Sequence, residues 1–278
     1  MNKILSQLVN KLRNFNKYIH TGGVVYVNIS QIKYNRILEG KKILVTGGSS
    51  GIGYAIAKKC LDEGAKVVIT GRDIQKLNTV SKNINSDNNL YTLDWDVSDS
   101  NLSRKKIEEI DHILGGLDIV FNNAGVYTSK SFLKIEEEDW DTVMDINAKG
   151  LFFVCQAASE YFLGKNKGGK IINIASNRGI MGDYGPYGMS KWGVIGLTKG
   201  LGRDLISKGI IVNGIAPGIT ATNINGVKVE ENAFSEEPRN KRIGLPEEIA
   251  ELALFLASDA ANNIVGQVIV CDGGTSLN

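Results

Sequence analysis

A glycine-rich turn between a short apolar run and an amphipathic segment constrains this chain more than any other feature. The run Ile43-Leu44-Val45 is followed by Gly47, Gly51 and Gly53, and apolar residues then recur at helical spacing from Ile52 to Leu61. This pattern predicts a strand, a tight turn and a helix whose N-terminal amides can hold a phosphate group. Such a turn can also serve only to pack a helix closely on a strand, so the rest of the chain must decide between the two.

Further apolar runs alternate with helical patterns to the C-terminus. Strands are predicted at residues 43–47, 66–70, 89–94, 118–121, 170–175, 210–215 and 267–271. Gly64 is expected to end the first helix, Asp73 to cap the second, Ser98 or Asp99 to cap the third, and Pro246 to open the last. The alternation predicts a parallel sheet covered by helices, and 278 residues with 42% hydrophobic content suffice for one large core.

Tyr187 and Lys191 lie four residues apart in a stretch with a helical pattern. Residues at this spacing project from one face of a helix, so the ammonium would favour the phenolate form of the tyrosine. Acid–base work near neutral pH requires a tyrosine pKa about three units below its ordinary value of about 10. The pair therefore indicates proton transfer at the Tyr187 hydroxyl. Taken alone, a packed aromatic ring and a surface charge would give the same spacing.

The motifs along the chain occur in a specific order. They are Thr46-Gly-x-x-x-Gly51-x-Gly53, Asp96-Val97, Asn122-Asn-Ala-Gly125, Asn147, Ser176, Tyr187-x-x-x-Lys191 and Pro217-Gly218. This set resembles the short-chain dehydrogenase/reductase family from about residue 41 to the C-terminus, and its general pattern is similar to that of 3-oxoacyl-carrier-protein reductases. The resemblance implies a single α/β domain over residues 41–278, doubly wound and of the Rossmann type, with a mainly seven-stranded parallel sheet.

The resemblance also implies an activity and its residues. Hydride would pass between a nicotinamide cofactor and a small carbonyl or secondary alcohol, while Ser176 binds the substrate oxygen and Tyr187 exchanges its proton. Lys191 would lower the tyrosine pKa and hold the nicotinamide ribose, and Asn147 would support a water-linked proton path. Each of these residues also has a structural interpretation, such as a turn cap for Ser176. The expected cofactor-binding residues are Gly47, Ser49, Ser50, Gly51, Ile52, Gly53, Arg72, Asp96, Val97, Asn123, Ala124, Gly125, Tyr187, Lys191, Pro217, Gly218 and Thr220.

The end of the second predicted strand bears on the choice of cofactor. Gly71 occupies the position where an acid would bind the ribose 2′-hydroxyl, and Arg72 follows it. Because an arginine fork can pair with a 2′-phosphate, this arrangement favours NADP(H) over NAD(H), and NAD(H) stays open. The alternative is that Arg72 is solvated or paired with Asp73.

Two features limit what the resemblance implies about the substrate. The interval between Ser176 and Tyr187 is shorter than in many family members, and Tyr184 within it lacks a lysine one turn later. Tyr184 is therefore expected to line the pocket and not to act as the acid. The segment after Gly218 is expected to form a substrate lid, and its apolar residues indicate a pocket that is not strongly ionic; they are Ile224, Val227, Val229 and Phe234.

Residues 1–40 differ from the rest of the chain in charge. They carry a net charge of +5 and the remainder −3, and Leu5, Leu8 and Leu12 recur at helical spacing. We expect a basic amphipathic extension that docks on the core or on a neighbouring subunit. Membrane contact through this extension stays open but is not favoured. Nucleic acid is not an expected partner, because the positive charge is confined to the extension.

The remaining residues indicate where the protein works and what it lacks. Cys60, Cys155 and Cys271 are expected to be unpaired core residues in a reducing compartment, and two histidines without metal-ligand spacing indicate that there is no metal site. No apolar run approaches a membrane span and no signal-peptide core is present, so a cytoplasmic location is expected. Family resemblance implies a homo-oligomer, a dimer or tetramer, formed through helices near residues 140–163 and 186–207. The alternative function is a nonenzymatic NADP(H)-binding sensor or scaffold.

Overall fold

The computed structural model of the chain describes residues 34–84, 89–222 and 233–277. Seven parallel strands form one sheet in the order β3-β2-β1-β4-β5-β6-β7. This confirms the predicted doubly wound α/β fold. The strands are β1 (Lys42–Thr46), β2 (Lys66–Gly71), β3 (Leu90–Asp94), β4 (Ile119–Asn122), β5 (Gly169–Ile174), β6 (Ile210–Pro217) and β7 (Val268–Cys271).

Helices cover both faces of the sheet. In chain order they are α1 (Gly51–Asp62), α2 (Ile74–Asn83), α3 (Ser103–Leu114), α4 (Glu137–Met144), α5 (Leu151–Gly164), α6 (Pro186–Leu205) and α7 (Pro246–Ala257). One turn of π-helix, Asp145–Gly150, joins α4 to α5. No helix in the described part of the chain is long and apolar enough to cross a membrane.

The core consists of two layers because side chains alternate across each strand. In β1, Ile43 and Val45 are fully buried against α1 and α7, whereas Leu44 faces the layer formed by α3, α5 and α6. Strands buried on both faces read as continuous apolar runs, which is why the strand positions could be predicted closely. Residues just before the predicted start of the domain at residue 41 also contribute to the core. Leu38 is fully buried in the first layer.

Most of the predicted helix boundaries are confirmed. Gly64 follows the end of α1 with φ +91°, Asp73 caps α2 by accepting the Lys76 amide, and Pro246 is the first residue of α7. The predicted cap of the third helix is wrong, because the amide and hydroxyl of Ser98 bind the Asp96 side chain and a 3₁₀ turn precedes α3. Asp99 precedes that 3₁₀ turn without a capping bond from its side chain.

The three cysteines are free, as expected, but they differ in burial. Cys60 and Cys155 lie in the core, whereas Cys271 at the end of β7 is only partly buried. Several other predictions fall outside the described residues. These are the helix and strand patterns of residues 1–33 and the lid residues Ile224, Val227 and Val229.

Candidate active site

The glycine-rich turn leads from β1 into the first turn of α1. Gly47 and Gly51 have φ values of +65° and +56°, which other residues rarely adopt. A Cβ at Gly47 would lie 2.8 Å from the Cα of Ala124, so only glycine fits there. Ser50, the N-cap residue of α1, makes no capping bond with its side chain. The first-turn amides therefore face the crevice without a side-chain acceptor, as an anion-binding turn requires.

The turns after β1 and β4 are bonded to each other. The Thr46 hydroxyl accepts hydrogen bonds from the amides of Asn123 and Ala124, both at 3.0 Å. The Asn123 side chain donates to the carbonyl oxygens of Thr46 and Gly47, also at 3.0 Å. These strands flank the point where the strand order reverses, which is where ligands bind in folds of this class.

Gly53, in the first turn of α1, faces the bonded turns after β1 and β4. A Cβ at Gly53 would lie 2.4 Å from the Asn123 side-chain nitrogen and 2.5 Å from the Gly47 carbonyl oxygen. Its absence lets α1 pack closely against the two turns. Gly53 was predicted to bind the cofactor with the other glycines, but it does not line the crevice.

A crevice of about 550 Å³ opens at the carboxyl ends of the strands. Apart from Gly53, all the predicted cofactor-binding residues line it. They are Gly47, Ser49, Ser50, Gly51, Ile52, Arg72, Asp96, Val97, Asn123, Ala124, Gly125, Tyr187, Lys191, Pro217, Gly218 and Thr220. The crevice volume is in the usual range for sites that hold small molecules and cofactors.

Ser176, Tyr187 and Lys191 meet at one end of this crevice. Ser176 follows β5, while Tyr187 and Lys191 lie in the first two turns of α6. The Ser176 side chain accepts the Arg178 amide at 3.2 Å and lies near enough to the Tyr187 hydroxyl to lower its pKa. The Lys191 ammonium donates to the Ile174 carbonyl oxygen at 2.8 Å and lies 5.6 Å from the centroid of the Tyr187 ring. The i,i+4 spacing thus places both side chains on the same face of the helix.

Asn147 lies behind the crevice and does not line it. Its side chain is fully buried, accepts a hydrogen bond from the Val126 amide at 2.8 Å and donates to the Val126 carbonyl oxygen at 2.9 Å. It also donates to the Ser190 hydroxyl at 3.3 Å. A Cβ at Gly125 would lie 3.3 Å from the Asn147 oxygen and 3.7 Å from the Lys191 nitrogen. Asn147 belongs to the π-helical turn, and such turns are frequent at functional sites.

Burial controls the proton affinities of Tyr187 and Lys191. It raises the pKa of Tyr187, and the nearby Ser176 side chain opposes this rise. Burial also lowers the pKa of Lys191 to about 8. The lowered tyrosine pKa expected from the sequence is therefore not observed in the protein alone, because desolvation outweighs the other influences on this phenol.

Several crevice residues were not predicted from the sequence. Tyr127 packs edge-on against Tyr187, with ring centroids 5.1 Å apart, and Lys76 lines the crevice as Arg72 does. The sequence could have suggested both residues, because Tyr127 closely follows Gly125 and Lys76 lies one turn beyond Arg72. Arg178 and Glu237 also line the crevice and form an ion pair at 3.0 Å. No sequence pattern indicates that pair, because the partners are 59 positions apart.

Two alternatives from the sequence can be compared with the structure. Asp73 accepts the Lys76 amide at 3.0 Å, and no ion pair joins it to Arg72 among the described residues. Tyr184 does not line the crevice, so the expectation that it does is wrong. It is 64% exposed and contacts the Phe132 ring, because the loop before α6 directs it outward.

The described residues contain no group of three or more His, Cys, Asp or Glu side chains that could hold a metal ion. The crevice lining offers hydroxyl, ammonium, guanidinium, carboxylate and backbone groups. A phenol next to a hydroxyl and a buried ammonium can bind a carbonyl oxygen and supply it with a proton.

Comparisons with known proteins agree with this geometry. Residues 47–276 match the family model described as enoyl-(acyl carrier protein) reductase. The chain is 38% identical to a 3-oxoacyl-[acyl-carrier-protein] reductase of Thermotoga maritima over 85% of its own length and 98% of that protein. The crystal structure of a short-chain type dehydrogenase/reductase from Mycobacterium marinum has a TM-score of 0.82 and 31% identity, covering 88% of this chain and 98% of that one.

A further solved structure is that of a candidate 2-deoxy-D-gluconate 3-dehydrogenase from Agrobacterium tumefaciens with bound NADP. It has a TM-score of 0.76 and 35% identity, and the match covers 88% of this chain and 100% of that one. The family model covers most of the chain, and the relatives are matched over nearly their whole length. The protein is therefore an enzyme of the short-chain dehydrogenase/reductase family of oxidoreductases.

Proposed function

We propose that this enzyme transfers hydride between NADP(H) and a carbonyl or secondary alcohol, with Tyr187 as the acid–base residue. The observation that carries the proposal is the meeting of Ser176, Tyr187 and Lys191 at one end of the crevice whose other end is the glycine turn. The nonenzymatic sensor is not favoured, because this catalytic set is complete and the relatives with matching sequences are named as enzymes.

The residues of the crevice fit a nicotinamide dinucleotide. Gly47 leaves a space that a Cβ would fill, and the first-turn amides of α1 offer donors for a pyrophosphate. Asp96 and Val97 would hold the adenine, and the segment Asn123 to Gly125 would form the wall beside the ribose. Pro217, Gly218 and Thr220 would contact the nicotinamide end, since they follow β6 across the crevice.

Arg72 supports NADP(H) as the preferred form. It is exposed and lines the crevice after β2, and Lys76 in α2 is a second cation of the same lining. Guanidinium and ammonium groups at this position suit a 2′-phosphate, whereas a ribose 2′-hydroxyl is usually held by an acid. The Agrobacterium tumefaciens relative with bound NADP is consistent with this preference.

The chain contributes orientation and proton transfer. When bound, the nicotinamide supplies or accepts the hydride. The Ser176 hydroxyl would hold the substrate oxygen, and the Tyr187 hydroxyl would donate a proton to that oxygen as negative charge develops on it. Because burial raises the pKa of Tyr187, this residue is protonated at neutral pH, which is the form needed for carbonyl reduction. Lys191 would hold the ribose, and Asn147 would keep the backbone at Val126 in place beside it.

The test of this mechanism is Tyr187→Phe with Tyr184→Phe as the matched control. Removal of the Tyr187 hydroxyl should lower NADPH-dependent turnover about 10²- to 10⁴-fold, as expected for loss of a general acid. Binding of NADPH, measured by fluorescence titration, should persist. The control should keep its turnover, because Tyr184 is outside the crevice lining. Undiminished turnover of Tyr187→Phe on ketones, 3-oxoacyl thioesters and keto-sugars would remove this tyrosine from the mechanism.

A homo-oligomer is part of the proposal. Large apolar side chains are exposed on α5 and α6, namely Phe152, Leu163, Met189 and Trp192. Contact between copies would remove these side chains from water, which stabilises an assembly. Light scattering coupled to gel filtration should give a dimer or tetramer, and a monomer at all concentrations would contradict this part.

Residues 1–40 are proposed as an extension of the catalytic domain, although its last residues belong to the core. The Glu63 carboxylate accepts hydrogen bonds from the amides of Tyr34 and Arg36, both at 3.1 Å, and Leu38 is fully buried. We therefore assign residues 34–40 to the catalytic domain. The expected cytoplasmic location stays a prediction.

A further inference from the structure

A cation and a carboxylate face each other at the catalytic end of the crevice. The Arg178 guanidinium lies 3.0 Å from the Glu237 carboxylate, and both side chains line the crevice. The Arg178 amide donates to the Ser176 hydroxyl oxygen at 3.2 Å. This bond ties the arginine backbone to the serine that would hold the substrate oxygen.

The charge of Arg178 reaches the reacting tyrosine. Burial raises the pKa of Tyr187, and the Arg178 charge is one of the influences that oppose the rise. Because Arg178 lines the same crevice as Ser176 and Tyr187 and its amide is bonded to the Ser176 hydroxyl oxygen, its guanidinium can meet a group attached near the substrate carbonyl. The position of Arg178 two residues after Ser176 leads to the same conclusion.

The other cations of the described crevice lining lie elsewhere. Arg72 and Lys76 follow β2 on the far side of the glycine turn. Lys191 is buried, and its ammonium is bonded to the Ile174 carbonyl oxygen. Arg178 is therefore the cation of this lining that a substrate group can reach at the catalytic end. This differs from the expectation of a pocket that is not strongly ionic, which rested on apolar residues of the loop after Gly218.

The ion pair can be exchanged at little cost. The side chains of Arg178 and Glu237 are 42% and 41% exposed. Ion pairs with this much exposure stabilise a protein by only about 0–1 kcal/mol. A carboxylate or phosphate on a bound ligand can form two parallel charge-assisted hydrogen bonds with a guanidinium. Such a group can therefore replace the Glu237 carboxylate.

We propose that Arg178 binds an anionic group, a carboxylate or phosphate, which the substrate carries close to its reacting carbonyl. Glu237 is the internal counter-ion that this group displaces. The inference rests on the proposed function and deepens it, because it names anionic oxo and hydroxy compounds as the substrate class. A neutral substrate leaves the ion pair intact and gains nothing from the guanidinium, so the pair selects for negative charge.

The test compares related substrates with and without a negatively charged group. Acetoacetate is paired with methyl acetoacetate, and dihydroxyacetone phosphate with dihydroxyacetone, so that the two pairs separate a carboxylate from a phosphate. Arg178→Gln should lower kcat/KM for the charged member about 10- to 100-fold and change the neutral member less than about twofold. Glu237→Gln should raise kcat/KM for the charged member. The matched control is Arg203→Gln, at an 82% exposed arginine on α6, and it should have no effect.

A binding measurement separates this inference from the proposed reaction. Protein saturated with NADP⁺ cannot reduce a ketone, so calorimetric titration with acetoacetate or dihydroxyacetone phosphate reports binding without turnover. If one anion binds and its affinity falls about 10- to 100-fold in Arg178→Gln, the inference is supported. If no substrate is turned over as well, the proposed reaction fails while the inference stands. If neither anion binds, or if binding is the same in Arg178→Gln, the inference is overturned, whichever substrates react.

Discussion

Burial of the Lys191 ammonium should make the free energy of unfolding rise with pH. The buried thiols and the Tyr187 hydroxyl should make it fall as the solution becomes more alkaline. The Lys191 side chain is 4% exposed, and burial lowers its pKa from the ordinary value of 10.5 to about 8. Below pH 8 the lysine is protonated in both the folded and the unfolded chain, so folding bears the full cost of burying the charge. Between pH 8 and 10.5 the unfolded chain binds more protons than the folded one, and stability therefore rises with pH.

The size of the effect follows from the displacement of the pKa. A difference of about 2.5 units corresponds to about 3 kcal/mol at pH 7, since each unit is worth about 1.36 kcal/mol. By pH 9.5 the folded lysine is mostly neutral, and about 2 kcal/mol of this cost is relieved. The groups with raised pKa values act in the other direction. Burial holds Cys60, Cys155 and Tyr187 in their neutral forms, and the stability that these groups contribute is lost as pH rises beyond their ordinary pKa values.

The assay is urea unfolding of the wild type and Lys191→Met between pH 7 and 9.5, followed by fluorescence at equal protein concentration and without cofactor. Methionine is similar in length and carries no charge, so the other titrating groups cancel in the difference between the two free energies of unfolding. That difference should move by about 2 kcal/mol in favour of the wild type across this range. If the two stability curves stay parallel, the ammonium is solvated in the folded protein, and the burial argument for the catalytic lysine is refuted.

Five further variants, in three sets, test the cofactor site and the N-terminal segment. Arg72→Gln should raise the KM for NADPH about tenfold with little change for NADH, and Lys76→Gln should do the same more weakly, because each removes a charge beside the 2′-phosphate. Equal effects on both cofactors in steady-state kinetics would contradict that role. Gly53→Val should lower the melting temperature and weaken NADPH binding, since even a Cβ would lie 2.4 Å from a neighbouring side-chain nitrogen. A normal melt with normal binding would show that α1 can move away. Deletion of residues 1–40 should lower the melting temperature by at least about 5 °C more than deletion of residues 1–33, because a fully buried leucine is lost. Identical melting of the two truncated proteins in calorimetry would contradict the anchoring of 34–40.

The sequence by itself determined the architecture through local rules, and its resemblance to a known family supplied the main candidate residues of the site. Strands buried on both faces must be continuous apolar runs, and central strands such as β1, β2 and β4 were located in this way. The positive φ values at Gly47 and Gly51 require glycine, and the four-residue spacing of Tyr187 and Lys191 places both on one helix face. The cap at Asp73 and the first residue of α7 follow from equally local chemistry.

Only the tertiary structure decided what depends on contacts between distant segments. Thr46 is bonded to residues 77 and 78 positions away, Asn147 to the Val126 backbone, and Arg178 to Glu237 across 59 positions. No periodicity links such partners, because the folding of the sheet brings them together. The direction of the Tyr187 pKa shift has the same origin. Spacing to Lys191 predicts a lowered value, but the desolvation that raises it arises from every segment packed around the ring.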